Sequence, residues 1–176
     1  RVKAVRHPYL LALDRYDIIE GRLLIVMELA DCNLWDRFRQ CRLNGQQGIA
    51  RDDLMTHMLE ASEVLDLMNF EHQLLHLDIK PQNILVGYEA EGLRARVSDF
   101  GLAKAVNPLT LLATTAGTVA FKPPEAFSER QGDSCASDVW AIAATLYMLL
   151  TDKLPFDRSA VSAEPLQRTT ASLVPP

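Results

Sequence analysis

His76-Leu77-Asp78-Ile79-Lys80-Pro81-Gln82-Asn83, followed by Asp99-Phe100-Gly101, is the stretch on which the fold turns. It gathers two carboxylates, an ammonium and an amide around one point. A loop of this length turns Asp78 toward an acceptor group while Asn83 points back across it, and Asp99 arrives from the next hairpin. Asn83 and Asp99 both offer oxygen, the ligand atom that a hard cation such as magnesium takes. A lone H-x-D would pass for an ordinary polar turn. The full set of matching positions at these spacings does not arise that way by chance.

Around this loop the pattern of apolar residues predicts the elements. Ile84-Leu85-Val86 and Arg96-Val97-Ser98 read as short strands that carry Asn83 and Asp99 to one place. Upstream, Asp52 to Glu71 sets Leu54, Met58, Ala61, Leu65 and Met68 at alternating steps of four and three, the single stripe of a long amphipathic helix. The methionines there are core filler. His57 and His72 have no partners at metal-ligand spacing and read as solvated. Asn33-Leu34-Trp35-Asp36 opens a shorter helix, with Asn33 as cap and Asp36 facing its N-terminus. It runs to about Arg42, where Asn44-Gly45-Gln46-Gln47-Gly48 breaks it. Leu10 to Leu29 reads as a strand hairpin turning at Glu20-Gly21-Arg22. Ser137 is placed to cap a buried helix that carries Asp138 in its first turn, and Asp157 to Pro176 reads as loop.

Composition bounds the function classes. The chain has 176 residues, the length of one domain, and at 48% hydrophobic it has ample material for a core. Eighteen basic and 23 acidic residues give a net charge of −5, and no basic block implies nucleic acid or an anionic membrane as partner. The 3 cysteines, Cys32, Cys41 and Cys135, are scattered without a C-x-x-C and read as reduced cytosolic thiols. The longest apolar run, Val139 to Leu150, falls short of the roughly 20 residues of a membrane span and suits a buried helix.

At the residues from His76 to Asn83 and Asp99 to Gly101 the chain resembles the eukaryotic-type serine/threonine protein kinases, bacterial members included. The resemblance implies an α+β, protein kinase-like fold, mostly the helical large lobe with the last hairpin of the small lobe. Residues 1–30 would be the remnant of the small lobe and the hinge, and 31–176 the large lobe, truncated before its final helices. It implies transfer of the ATP γ-phosphate to Ser or Thr hydroxyls of a protein substrate, with Mg²⁺ as cofactor. Asp78 would accept the proton of the attacking hydroxyl, and Asn83 and Asp99 would hold magnesium. Lys80, which sets the family apart from tyrosine kinases, would contact the transferred phosphate.

The same resemblance extends along the chain. Met27 would be the gatekeeper behind the adenine, and Glu28-Leu29-Ala30 the hinge whose backbone bonds the base, with Glu28 and Ala30 as its contacts. Leu85 would form the apolar floor under the ring. Asn33 or Asp36 would either touch the sugar or simply cap the helix. His76 would pack against Phe100, and Asp138 would accept hydrogen bonds from the backbone of the loop. Gly117 to Glu125 resembles the end of the family's activation segment, with Pro123 in its Ala place and Thr118 orienting the acceptor hydroxyl near Asp78 and Lys80. Thr114 and Thr115 lie where an activating phosphate is attached in the family. The arginine that receives such a phosphate is Leu77 here, so phosphate control through that contact is not expected.

Nothing in the chain matches the glycine-rich loop or the strand lysine that grip the phosphates in the family, and the chain starts at Arg1 without Met. The expectation is therefore a fragment of a kinase, with little activity on its own. Two other classes compete. A pseudokinase, a nucleotide- or partner-binding module, is permitted by Leu77 and Pro123. A small-molecule kinase of the aminoglycoside or choline type shares the H-x-D-x-x-x-x-N loop but not Lys80 with DFG and P-P-E. A cytoplasmic location is expected, either free or as the cytosolic part of a membrane-tethered protein. Substrate, regulatory input and oligomeric state are not written in these motifs.

Overall fold

A two-residue turn at Glu20 and Gly21, with φ of 52° and 74°, closes the first hairpin. Two positive φ values in sequence match the twist of the flanking strands, and Gly21 takes its share without a side chain to resist it. β1 (Leu13–Ile19) pairs antiparallel with β2 (Arg22–Met27), in the register Ile19 to Arg22 through Tyr16 to Ile25. The computed structural model describes residues 5–90, 92–100, 119–127 and 134–155.

The predicted hairpin began at Leu10, and the structure corrects that. Leu10 and Leu11 are buried and leave β1 to pair with another strand: Val97 N donates to Tyr9 O (2.8 Å) and Leu11 N to Val97 O (3.0 Å). Their apolar side chains reach the core there, which β1 does not; Ile18 and Tyr16 stand 73% and 57% exposed.

A second sheet follows in the order β3 (Cys32–Asn33), β4 (Ile84–Glu89), β5 (Gly92–Val97). All its pairings are antiparallel, with Ile84 opposite Val97 and Leu85 opposite Asn33 and Arg96. Ile84, Val86, Ala95 and Val97 are buried on one face, the period-two pattern of a half-covered hairpin.

Among the described residues, two helices pack against this sheet and a third packs on the second of them. α1 (Leu34–Leu43) starts at Asn33, whose Oδ1 accepts from Asp36 N (2.9 Å) while its Nδ2 donates to Asp36 Oδ2 (2.8 Å). Both residues are spent on each other, which supports the cap over the sugar contact. α2 (Arg51–Asp66) buries Leu54, Met58, Ala61 and Leu65, and the predicted stripe continues to Met68 through a π-helical turn, Leu67–Glu71. The turn takes up the end of the helix predicted to run on to Glu71.

Two expectations on the helices fail. His57 is 2% exposed, not solvated, because it stands one residue before Met58 on the flank of the buried stripe, facing β5 through Glu60. α3 runs Cys135–Thr151, so Ser134 is the cap in place of Ser137. Ser134 is extended (φ −145°, ψ 175°), and Ser137, one turn in, accepts from Ser134 N through its Oγ (3.3 Å). Two serines three apart each fit a cap by composition; backbone conformation chooses the first. No helix among the described residues is long and apolar enough to cross a membrane.

Candidate active site

The loop from Leu74 to Lys80 has no regular structure and is held by its neighbours. Asp138, in the first turn of α3 and fully buried, accepts from His76 N on Oδ2 (2.9 Å) and from Leu77 N on Oδ1 (2.8 Å). These bonds hold Leu77 at φ 64°, a left-handed conformation that a leucine adopts only when its surroundings impose it. At such depth these N–H donors replace the water that the carboxylate has lost.

His76 is 1% exposed and links the loop to the end of β5. Its Nε2 lies 2.6 Å from Ser98 O, a group that can only accept, so the proton sits on Nε2. Nδ1 then accepts from Asp78 N (3.3 Å). Burial pushes the imidazole pKa down, against the pull of the Ser98 carbonyl and nearby carboxylates, and the ring is neutral. Its edge meets Phe100, with ring centroids 4.6 Å apart at 62°. The packing expected of His76 and Phe100 is found.

Asp78 sits at the focus of the loop. Lys80 Nζ donates to Asp78 Oδ2 (2.7 Å), and Asn83 Nδ2 donates to Asp78 Oδ2 (3.0 Å) and Asp78 O (2.7 Å). The other oxygen, Oδ1, is buried without a hydrogen-bond partner among the described residues. An anionic oxygen in that state is a strong acceptor for an incoming proton donor.

Asn83 reaches this place through the 3-10 turn Pro81–Asn83, with Pro81 and Ile79 buried as anchors. Its carbonyl accepts from Ser98 N (3.0 Å) and Ser98 Oγ (3.2 Å), which ties the loop to the strand before Asp99. With Nδ2 turned to Asp78, the amide oxygen lies on the opposite edge of the group. Asp99 follows at φ 63°, a second left-handed residue beside the loop. Strained, non-glycine backbone of this kind collects at functional sites.

The residues expected to form a hinge, Glu28 to Ala30, lie where β2 ends. Glu28 N donates to Ala12 O (3.0 Å) and Asp31 N to Val86 O (3.2 Å), so Leu29 and Ala30 span the step between the two sheets. Arg96 of β5 donates through Nη1 to Glu28 Oε1 and through Nη2 to Glu89 Oε1. Met27 is 40% exposed, and Leu85 is half-buried on the face of β4 opposite the core residues Ile84 and Val86.

The family model of the protein kinase domain matches residues 1–173. The chain belongs to the protein kinase domain family. Among its relatives, the carbon catabolite-derepressing protein kinase of Candida glabrata is 28% identical over 162 residues, 91% of this chain and 25% of that protein. CBL-interacting protein kinase 24 of Oryza sativa subsp. japonica is 32% identical over 160 residues, covering 89% of this chain and 33% of that protein. The probable serine/threonine-protein kinase PknB of Lactococcus lactis is 29% identical over 171 residues, 95% and 26% of the two chains. The chain thus spans about a quarter to a third of the length of these relatives.

Of the residues singled out in the kinase domain's sequence, Asp78, Lys80 and Asn83 are in direct contact. Asp99 joins them at the end of β5 through Ser98. Met27, Glu28 and Ala30 lie in a separate stretch, at and just past the end of β2, and Leu85 sits on β4 opposite Asn33. Thr118, Thr114 and Thr115 lie outside the described residues. Ser98 and Arg96 are polar contributors that the motifs do not point to. Arg96 had a sequence signal, a cation on the outward face of a strand three residues before Asp99.

Proposed function

We propose that the intact protein transfers the γ-phosphate of ATP to serine or threonine hydroxyls of a protein substrate. One observation carries this most directly: Asp78 has one carboxylate oxygen fixed by Lys80 and Asn83 and the other buried without a partner among the described residues. A substrate hydroxyl bonded to Oδ1 is oriented for attack and hands its proton to Asp78 as the new P–O bond forms. Lys80 stands on the same carboxylate and turns positive charge toward the phosphoryl group in flight.

The donor set fits magnesium. The Asn83 amide oxygen and the Asp99 carboxylate are hard ligands, and a magnesium ion that keeps waters and substrate phosphates needs only one or two protein oxygens. An ion held by these two residues would supply positive charge to the phosphates of the nucleotide. Asn83 meets both demands at once, since its nitrogen is used by Asp78 and its oxygen is not. The carbonyl of Glu28 and the backbone of Ala30 supply the polar edge for adenine, with Met27 behind and Leu85 below it.

The test is phosphotransfer by the intact protein from Mg-ATP to a generic protein substrate, with Asp78→Asn and Asp99→Ala beside it. Label on Ser or Thr that both substitutions remove is expected. Transfer only to a small alcohol, or nucleotide binding with no transfer at all, overturns the proposal.

A further inference from the structure

Asn69 lies inside the π-helical turn that ends α2 and is assigned no part in the reaction above. Its amide, oriented with the nitrogen inward, donates to Asp138 Oδ2 (3.2 Å) and to Leu74 O (2.8 Å). Both neighbours are acceptors, so only this orientation satisfies them. Asp138 therefore receives a third donor besides His76 N and Leu77 N.

The second bond matters as much. Leu74 N donates back to Met68 O (2.9 Å), so the chain between residues 68 and 74 is closed at both polar groups of Leu74. Leu74 is where the loop leaves α2, and four residues later comes Asp78. One amide thus grips the carboxylate that orients the loop and the backbone at which the loop begins. A π-turn, which opens the helix by one residue, is rare and is found frequently at functional sites.

We propose that Asn69 is a positioning residue for phosphotransfer: it holds Asp138 and Leu74 in register so that His76 and Leu77 present Asp78 to the acceptor hydroxyl. The proposal rests on the phosphotransfer reading for its effect on rate, and on geometry alone for its effect on the loop. Among the described residues, the charged group bonded to Asn69 is Asp138 from α3, which also accepts from His76 N.

The experiment follows both levels in the intact protein, by hydrogen exchange at the His76 and Leu77 amides and by steady-state kinetics. A hydrogen bond to a buried carboxylate supports a change of roughly tenfold. Asn69→Leu is expected to speed exchange at these two amides and lower kcat by about that factor, with KM for ATP within about twofold. Asn69→Asp sets a second carboxylate against Asp138, so its proton is held more tightly than in water. It matches Asn69→Leu near pH 8 and recovers protection and kcat as the pH falls toward about 6, where the carboxyl donates as the amide did. Unchanged exchange in Asn69→Leu overturns the proposal. So does a loss spread evenly over α2 and α3 with no recovery of Asn69→Asp at low pH. If exchange behaves as stated and the unsubstituted protein transfers no phosphate, the phosphotransfer reading falls and the placement of the loop stands.

Discussion

Lys80 Nζ lies 2.7 Å from Asp78 Oδ2, the same oxygen that receives the Asn83 amide, so the two oxygens of Asp78 face different surroundings. One is neutralised and fixed; the other is buried with no hydrogen-bond partner among the described residues. Asp78→Asn keeps the shape and removes the acceptor. It is expected to lower kcat by roughly 10²- to 10⁴-fold with little change in KM for ATP. Lys80→Ala removes one donor aimed at developing charge and is expected to lower kcat by about a hundredfold. Steady-state kinetics on the intact protein check both, and retention of more than a tenth of the rate by Asp78→Asn excludes it as the base.

Arg96 joins Glu28, just past the end of β2, to Glu89 on β4, the one place where side chains of the described residues bridge β5 and the end of β2 by an ion pair. Partly exposed pairs of this kind are weak, worth about 1 kcal/mol or less. Arg96→Ala should therefore leave the fold intact and loosen the hinge, raising KM for ATP about threefold while kcat holds. Adding Glu28→Gln should bring no further loss, because the pair is already broken. Additive losses in the double variant would sink the coupling.

What the sequence made legible was local. Asp78, Lys80 and Asn83 were readable because their geometry is set within one loop, and the Asn33 to Asp36 cap because both partners lie in one helical turn. The α2 stripe was readable because its period is the helix's own. Asp138 was readable through the family pattern alone, since its partners His76 and Leu77 are about sixty residues away in the chain. The burial of His57, the role of Asn69 and the partners of Arg96 depend on which surfaces meet, and no spacing within a segment encodes that. Ser137 was misplaced as a cap for a different reason: Ser134 is chemically identical to it, and only φ and ψ separate them.

Glu60 is a buried anion on α2 whose partners belong to β5. Its Oε1 accepts from Arg94 Nη1 (2.8 Å) and its Oε2 from Ala95 N (2.7 Å), fastening the β4–β5 hairpin to the helix. Glu60→Ala strands a buried N–H and leaves Arg94 without this partner, at a cost of about 3 kcal/mol. Glu60→Gln keeps an acceptor for Ala95 N and should lose about half as much. Urea unfolding of the two variants decides it, and equal losses would show that the charge, not the backbone bond, is what fastens the hairpin.

His57 stands against Glu60, with Nδ1 3.6 Å from Oε2, yet neither ring nitrogen has a hydrogen-bond partner among the described residues. Burial pushes its pKa down, and Glu60 only partly restores it. The sign of the pH effect follows. In the unfolded chain the imidazole takes up a proton in its ordinary range, near neutrality, while in the folded chain it resists. As pH falls through that range the unfolded state binds the extra proton, so stability drops; above it the two states bind equally and the effect vanishes. His57→Leu removes this site, so its urea midpoint should fall less between about pH 7.5 and about pH 5.5 than that of the unsubstituted protein. His76, also pushed down by burial, leaves a residual slope in the variant. Identical slopes in the two proteins would mean that His57 takes its proton in the folded state as readily as in the unfolded one.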